Sequence, residues 1–337
     1  MYKISLITGD GIGPELSESA VSVLNTIHDR LGVKFEIIKL LAGDIALKQT
    51  GNPLPNETLD SIKKSDVCLK APVGESAADV IVVLRRLLDL FANIRPAKSY
   101  PNMPALRNDI DMVIVRENTE DLYTGKEFHL GNASVALRII SEKASKRIAK
   151  YAFETAQQRN RQKKVTCVHK SNVMRVTDGM FAESCSEVAR EYPEISFEQM
   201  YVDACAMNLI RQPQNFDVVV TTNLFGDILS DESSQVVGGL GMAPAANIGD
   251  NFALFEPVHG AAFDIAGKNI ANPSSFLLSI KMMLDWLGKK NNDSKCFEAG
   301  EKLESVIFDL VKNGITTKDI GGTKTTLEFT QEITVRL

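Results

Sequence analysis

The sequence has few of the features that mark secreted, membrane-bound or nucleic-acid-binding proteins. Its five cysteines are scattered over 337 residues without a C-x-x-C pair, which favours free thiols in a reducing compartment over disulfides or zinc. No apolar run approaches the roughly 18 residues of a membrane helix, and the start lacks the pattern of a signal peptide. A net charge of −5 without a long basic run argues against a nucleic-acid partner. We therefore predict a cytoplasmic protein whose partners include neither nucleic acid nor a membrane.

What is present is the composition of an ordinary globular protein. Hydrophobic residues make up 44% of the chain and charged residues 24%, and this length is sufficient for a large core or two domains. Because the net charge is negative, a polyanionic substrate would require a local cluster of arginines.

The most informative stretch is Asn223–Glu232. It follows the β-branched run Phe216–Thr222, which predicts a buried strand ending in a polar turn, so a helix should begin there. On that helix Asp227 and Asp231 are four residues apart, and their carboxylates share one face and repel unless a cation lies between them. Mg²⁺ or Mn²⁺ suits such oxygen ligands. Without other evidence, two aspartates four residues apart more often form a solvent-exposed acidic face at the start of a helix than a metal site.

A glycine-rich turn near the N-terminus does not predict a Rossmann domain. Residues 3–7 predict a strand, and Gly9–Glu15 predicts a tight turn into a helix. The turn reads G-x-G-x-G followed by proline, its third glycine is misplaced, and no acidic residue ends a second strand about 20 residues further on.

The clearest amphipathic helix of the first half is predicted at Ser76–Phe91. Ser76 and Asp79 form a capping-box pattern, and apolar residues recur at helical spacing as far as Phe91. Arg85 lies on this helix and Arg95 follows in N-I-R-P. A lone arginine on a helix is usually solvated, so these residues become informative only together.

These segments together resemble the isocitrate/isopropylmalate dehydrogenase family, the β-decarboxylating dehydrogenases. The resemblance is strongest from Asn223 to Asp231 and in the following G-G-L-G, and it extends from Gly9–Glu15 to Gly321–Thr323. It implies an α/β fold of two domains with a large mixed sheet flanked by helices, and no Rossmann domain. The implied cofactor-binding domain comprises residues 1–98 and 251–337. Residues 99–250 would form an inserted domain for substrate, metal and dimerisation.

The resemblance also implies the residues of a site for a polycarboxylate. Its arginines would grip the malate core by bidentate pairing, and two aliphatic residues before the first arginine would contact the group that differs between substrates. A tyrosine would be the general acid and a lysine the general base, whereas His169 would be structural. The implied assignments are Arg85, Arg95, Arg116, Ile81 and Val82 for substrate; Tyr123, Lys170 and Asp203 for catalysis; and Asp203, Asp227 and Asp231 for Mg²⁺ or Mn²⁺.

The stretch F-E-P-V-H-G-A-A-F-D-I-A-G resembles the family's adenosine-binding loop. A carboxylate at Asp264 would accept the ribose hydroxyls and repel a 2′-phosphate, which favours NAD over NADP. The resemblance assigns the cofactor contacts to Ile12, Glu256, His259, Gly260, Asp264, Ile265 and Asn272.

The implied reaction is the metal-dependent oxidative decarboxylation of a 2-hydroxy-3-carboxy acid with NAD⁺. The aliphatic Ile81 and Val82 favour 3-isopropylmalate, and hence leucine biosynthesis, because a carboxylate buried there would be costly. Ala78 departs from typical bacterial isopropylmalate enzymes, which carry glutamate. Homoisocitrate, isocitrate and D-malate are the alternative substrates, and a non-catalytic regulatory subunit is the remote alternative.

In the family, the catalytic lysine and Asp203 act across a dimer interface. The resemblance therefore implies a homodimer with shared active sites, and it leaves a tetramer open. Residues 135–140 predict a further strand at that interface.

Overall fold

The computed structural model describes all 337 residues, which form a mixed α/β protein around one ten-stranded sheet. The strands β1 to β12 are, in chain order, Tyr2–Ile7, Phe35–Leu40, Val67–Lys70, Ala92–Lys98, Asp111–Glu117, Glu127–Leu130, Ala133–Ala136, Lys164–His169, Ser196–Tyr201, Val218–Thr221, Pro244–Ile248 and Ala253–Pro257. The helices α1 to α11 are Gly13–Thr26, Asp44–Thr50, Asn56–Lys63, Ala77–Leu87, Glu142–Arg159, Thr177–Ala189, Val202–Arg211, Asn223–Val236, Ser274–Asn291, Ser294–Lys312 and Thr326–Arg336.

The large sheet consists of two parallel blocks joined by antiparallel strands. Its order is β2-β1-β3-β12-β11-β4-β5-β10-β8-β9. Strands β2, β1, β3 and β12 run parallel to one another, as do β5, β10, β8 and β9. Antiparallel pairing of β11 with β12, and of β4 with both β11 and β5, joins the blocks. The predicted large mixed sheet flanked by helices is confirmed.

A row of polar side chains crosses the centre of this sheet. Asn247, Asn93 and Arg116 lie opposite one another on β11, β4 and β5, and Thr221 continues the row on β10. Because successive side chains of a strand point to opposite faces, Ile94 lies on the other face, within the largest hydrophobic core.

Two smaller cores flank the polar row. One contains Val80 and Leu84 of α4, packed with residues of β1 and β3. The other contains Leu209 of α7 and Leu229 of α8, packed with residues of β5 and β10. The polar row therefore forms the floor of a cleft whose two sides are α4 and α8.

The ends of α4 differ from those predicted. The capping box is wrong, because the Ser76 hydroxyl donates to Asp44 at 2.6 Å and makes no cap to its own helix. The helix ends at Leu87 rather than Phe91, since Asp89 adopts a left-handed backbone with a φ of 47°. Asp44, which also accepts from two backbone N–H groups in this turn, is the residue that fixes the start of α4.

The strand predicted at residues 135–140 is also displaced. Strand β7 ends at Ala136 and pairs only with β6, in an exposed two-stranded hairpin. The residues that follow form no strand, and Arg138 turns into the protein to reach buried aspartates. No helix in the chain has the length and apolarity that crossing a membrane would require.

Candidate active site

A cavity of about 240 Å³ lies between α4 and α8, above the polar row. One wall is apolar and includes Val73, Ala77 and Ala78. The predicted substrate, catalytic and metal residues that line the cavity are Ile81, Val82, Arg85, Arg95, Arg116, Tyr123 and Asp227. The structure thus brings the predicted substrate residues into one cleft with the predicted general acid and a predicted metal ligand.

Arg116 is the most deeply buried of the three arginines, with 1% of its side chain exposed. Its Nε and Nη2 donate to Asn223 Oδ1 at 2.9 and 2.7 Å, and its Nη1 donates to Asp227. Asn223 begins α8, so Arg116 joins strand β5 to the helix that carries both predicted metal ligands. A charge this deeply buried requires such partners.

Arg95 faces the same helix from β4. Its Nε donates to Asn93 Oδ1 at 2.7 Å, and its Nη1 lies 3.4 Å from Asp231 Oδ1. Its Nη2 lies 3.7 Å from Asp227 Oδ1. Burial lowers the pKa of Arg95, and the nearby charge of Arg116 lowers it further. Clustered, buried cations of this kind create a local field that attracts an anion despite the negative net charge.

Arg85 belongs to a buried ion-pair network that the sequence did not reveal. Its Nε donates to Asn247 Oδ1 at 2.9 Å, and its Nη2 lies 3.3 Å from Glu256 Oε1. The other oxygen of Glu256 lies 2.8 Å from Lys70 Nζ. Burial lowers the pKa of Arg85 to about 10, with Arg116 contributing in the same direction. Burial would raise the pKa of Glu256, but Lys70 and Arg85 outweigh it and lower the pKa to about 2.

This network predicts a pH-dependent stability. Because the pKa of Glu256 falls from 4.5 to about 2 on folding, its contribution is fully present above the unfolded pKa and is lost as the pH falls towards the folded one. Glu256→Gln should lower the unfolding free energy at neutral pH by about 3–5 kcal/mol, since Lys70 and Arg85 lose their carboxylate. In urea titrations the deficit relative to wild type should be nearly the same at about pH 7 and pH 5 and smaller at about pH 3.5, which lies between the folded and unfolded pKa values.

The control for this prediction is Glu18→Gln, which removes an exposed ion pair with Lys39. Its effect should stay within about 0.5 kcal/mol at every pH. A deficit for Glu256→Gln that is the same at all three pH values would contradict the assignment.

Tyr123 and the two aspartates of α8 meet the arginines at one end of the cleft. The Tyr123 hydroxyl donates to Asp227, and Arg116 lies 4.9 Å from the centre of the Tyr123 ring. Burial raises the pKa of Tyr123 against the opposing charge of Arg116, so the phenol is protonated at neutral pH. Burial would raise the pKa of Asp227, but Arg116 and neighbouring donors lower it. Burial raises the pKa of Asp231.

Lys170 and Asp203 pair with each other outside this cleft. Lys170 follows the end of β8, and its Nζ donates to Asp203 in the first turn of α7. The Asp203 side chain is 67% exposed, and the hydrogen bond from Lys170 lowers its pKa. No group of three His, Cys, Asp or Glu side chains in the chain is arranged to hold a metal. One chain therefore does not assemble the predicted set of Asp203, Asp227 and Asp231.

His169, the neighbour of Lys170, has both ring nitrogens occupied. Its Nε2 lies 3.1 Å from Gln199 Oε1, and its Nδ1 accepts from the Ser171 backbone N–H at 3.2 Å. Burial lowers the pKa of His169. A histidine with these partners fits the predicted structural role.

A second cavity of about 380 Å³ adjoins the first, because His259 and Gly260 line both. Ile12, Ile265 and Asn272 also line it, as the predicted cofactor residues should. Two other predicted contacts lie elsewhere: Glu256 lines only the substrate cleft, and the exposed Asp264 lines neither cavity.

His259 has a polar atom that is free to bind a ligand at this junction. Its Nε2 is buried without a hydrogen-bond partner, while its Nδ1 lies 3.1 Å from the carbonyl of Gly260. Burial lowers the pKa of His259. Because unpaired buried polar atoms are rare, this nitrogen indicates a bound polar group between the two cavities.

Several residues of the site were missed by the sequence analysis. Asn93 and Asn247 lie at neighbouring positions of β4 and β11, where they orient Arg95 and Arg85. The signal for Asn93 was its spacing of two from Arg95, which puts both on one face of a strand. Lys70 ends an apolar strand and gave no signal of its own, because its partner Glu256 comes from the distant β12.

The comparisons with known proteins identify the family of this chain. A family model described as isocitrate/isopropylmalate dehydrogenase matches residues 3–334. The chain belongs to this family. The 3-isopropylmalate dehydrogenase of Saccharolobus solfataricus is 50% identical over 334 residues, covering 98% of each chain. That of Sulfurisphaera tokodaii is 51% identical over 334 residues, again covering 98% of each.

A solved structure gives the same result for the fold. The isocitrate dehydrogenase of Methylococcus capsulatus superposes with a TM-score of 0.93 at 41% identity, covering 100% of this chain and 99% of that one. Membership of the isocitrate/isopropylmalate dehydrogenase family, predicted from the motifs, is confirmed. The protein is therefore a β-decarboxylating dehydrogenase.

Proposed function

We propose that the protein oxidatively decarboxylates 3-isopropylmalate with NAD⁺, a step of leucine biosynthesis. The observation that carries this proposal is the cleft that three buried arginines line together with the apolar Ile81 and Val82. Arginine forks pair with the carboxylates of a malate core, and the apolar wall suits an isopropyl group. The names of the two archaeal relatives support the same substrate.

The alternative substrates with a third carboxylate fit this cleft less well. The other cation that lines it, Lys70, is already paired with Glu256. A carboxylate beside Ile81 and Val82 would lose its hydration without gaining a partner, which costs several kcal/mol. Isocitrate and homoisocitrate are therefore the second choice, and D-malate lacks the group that the apolar wall would contact.

The proposed metal is Mg²⁺ or Mn²⁺. Asp227 and Asp231 both lie beside Arg95 on one side of α8, and their oxygens are the donors that such hard cations prefer. Asp203 of a second chain would complete the set, because within one chain it pairs with Lys170. When bound, the ion supplies a Lewis acid for an oxygen that gains negative charge.

NAD is the proposed redox cofactor, in the cavity that shares His259 and Gly260 with the substrate cleft. The unpaired, buried Nε2 of His259 fits a polar group of a dinucleotide. When bound, NAD⁺ accepts the hydride from the substrate. The common lining of the two cavities supports direct transfer between neighbouring ligands.

The chain's own residues provide binding and proton transfer. Arg85, Arg95 and Arg116 orient the substrate carboxylates, and Lys170 Nζ takes the hydroxyl proton. Tyr123 Oη, which is protonated at neutral pH, returns a proton to carbon after CO₂ has left. Closure between the proposed domains, residues 1–98 with 251–337 and residues 99–250, would exclude water.

A homodimer with shared sites is part of this proposal. Lys170 and Asp203 do not line the cleft, and exposed apolar side chains occur close to them in the sequence and on the neighbouring helices α7 and α8. Clusters of exposed apolar side chains mark interaction surfaces in soluble proteins. The exposed residues that support the interface are Val173, Val176, Tyr201, Met207, Ile210 and Ile228. The pairing of dimers into tetramers is a separate prediction.

The proposed location is the cytoplasm. It is supported by the five cysteines, all of which are buried and free.

The test is NADH formation with 3-isopropylmalate, homoisocitrate, isocitrate and D-malate, each with Mg²⁺ and with a chelator. We expect the highest kcat/KM for 3-isopropylmalate and no turnover with chelator. A preference for a tricarboxylate would reject the substrate assignment while leaving the reaction class intact. No turnover of any acid would favour the regulatory subunit.

Val82→Arg should change the substrate preference. An arginine in the apolar wall would clash with an isopropyl group and offer a γ-carboxylate an ion pair, so the kcat/KM ratio of homoisocitrate to isopropylmalate should rise by about 100-fold or more. Val83→Arg, at a neighbouring position that does not line the cleft, is the control and should leave the ratio within about twofold. An unchanged ratio in Val82→Arg would place the specificity wall elsewhere.

Replacing Asp264 tests the preference for NAD. The side chain is exposed, so Asp264→Lys should not disturb folding. It removes a carboxylate that would repel a 2′-phosphate, and the ratio of kcat/KM for NADP⁺ to that for NAD⁺ should rise by about tenfold or more. The control is Lys268→Gln, beyond the loop. No change in the ratio would show that Asp264 does not contact the adenosine ribose of the cofactor.

A further inference from the structure

Arg138 joins segments that carry the proposed catalytic residues. It lies between β7 and α5, and 12% of its side chain is exposed. Its neighbours are Asp121 and Asp178, whose side chains are fully buried. Nε donates to Asp121 Oδ1 at 2.7 Å, and Nη1 donates to Asp178. The planar fork of a guanidinium can serve several acceptors at once, which a lysine ammonium cannot do with the same geometry.

On one side of Arg138, Asp121 connects the turn that carries the proposed general acid, Tyr123, to helix α8, which carries the proposed metal ligands. It begins the 3₁₀ turn Asp121–Thr124, which carries Tyr123. Its φ of 69° is left-handed, a conformation that is uncommon for residues with a Cβ and that surrounding contacts must hold. Its carboxylate accepts from the Leu224 backbone N–H at 3.0 Å, in the first turn of the helix that carries Asp227.

On the other side, Asp178 fixes the backbone of the proposed general base. Its Oδ2 accepts from the Lys170 backbone N–H at 2.6 Å. The remaining arm of Arg138, Nη2, donates at 2.8 Å to the hydroxyl of Thr222, the N-cap residue of α8. The guanidinium also lies 4.8 Å from the centre of the Phe225 ring in the same helix.

We propose that Arg138 is a positioning residue that holds the Tyr123 turn, the Lys170 turn and the start of α8 in one arrangement. The roles of Tyr123 and Lys170 rest on the proposed function, whereas the contacts do not. In the proposed dimer, Lys170 acts in the partner's site and Tyr123 in its own. Arg138 therefore links the geometry of the two sites.

The chain offers a matched control in Arg159. This arginine also bridges two aspartates, with Nε at 2.9 Å from Asp217 Oδ1 and Nη2 at 2.9 Å from Asp111 Oδ1. Its side chain is 18% exposed, and it lines neither cavity of the site. Arg138→Lys and Arg159→Lys thus make the same chemical change in two similar clusters.

The first readout is steady-state kinetics on the full-length protein. Arg138→Lys should lower kcat by about 10- to 100-fold, since displacement of reacting groups has effects of this size. KM should stay within about threefold, because none of the substrate arginines is altered. Arg159→Lys should keep the wild-type kcat even if its melting temperature falls by as much as that of Arg138→Lys. If the wild type is active, equal kcat values in the two variants would overturn the proposal.

The second readout does not depend on activity. Amide hydrogen exchange at Lys170 and Leu224 should rise by about tenfold or more in Arg138→Lys and stay unchanged in Arg159→Lys. This pattern would support the positioning role even if the wild type turned over none of the four acids, a result that would reject only the proposed function. Unchanged exchange at both amides would overturn the positioning role.

A milder variant covers the case in which Arg138→Lys does not fold. Thr222→Val removes one acceptor of the guanidinium without burying a charge or changing the size of the side chain much. It should lower kcat by about two- to tenfold and raise exchange at Leu224 more than at Lys170. Wild-type kcat and exchange in Thr222→Val would overturn the link to α8.

Discussion

Lys170→Ala is expected to lower kcat by about 100- to 10,000-fold, the range that a positioned general base contributes. The KM for the substrate should change little, because the carboxylates are held by arginines on other elements. The fold should tolerate the change, since the lysine is partly exposed and its one ion pair is with the exposed Asp203. Steady-state kinetics with 3-isopropylmalate and Mg²⁺ provides the measurement.

Lys164→Ala is the control for this prediction. Lys164 lies at the other end of the same strand and pairs with Glu198, so it should change kcat by less than about twofold. If Lys170→Ala keeps near-normal turnover, Lys170 is not the base.

The same variant tests whether the lysine acts across a dimer. Two inactive variants, Lys170→Ala and Asp227→Asn, carry their defects in different parts of a shared site. Mixed dimers would contain one site with both defects and one site with neither, so random exchange of subunits should restore about a quarter of the wild-type sites. No recovery after demonstrated subunit exchange would mean that each chain uses its own lysine.

Much of the candidate site was predicted through the resemblance to the family, because the motifs that carry the resemblance lie in short, local stretches. The helix that begins at Asn223 places the two proposed metal ligands four residues apart, and Arg116 and Tyr123 come from a single strand and the turn after it. Helical and strand periodicity then give the face on which each side chain lies. Local patterns of this kind do not depend on how distant segments meet.

The residues that escaped prediction depend on contacts between distant segments. Lys70 becomes part of the site only because β3 and β12 are neighbours, which brings Glu256 to it. The capping box at Ser76 failed for the same reason, since Asp44 from another helix takes the hydroxyl. The strand predicted at residues 135–140 ends early because Arg138 turns away to its buried partners, Asp121 and Asp178. In each case a tertiary partner outweighed the local preference.

Asp227→Asn is the other change from which we expect a large effect. The carboxylate has two functions: it is a proposed metal ligand, and it is the acceptor for Arg116 and the Tyr123 hydroxyl. An amide is a weak ligand for a hard cation and leaves the buried Arg116 without its anion. Activity should fall by about 1,000-fold, equivalent to about 4 kcal/mol.

A binding measurement separates the two functions of Asp227. Mn²⁺ with 3-isopropylmalate should raise the melting temperature of the wild type but not of Asp227→Asn, because ligands stabilise only the fold that binds them. Glu232→Gln, on the same helix and without an ion pair, should behave as the wild type in both assays. If Asp227→Asn is stabilised as much as the wild type, its carboxylate is not a metal ligand. Any loss of activity then has to come from the altered positions of Arg116 and Tyr123.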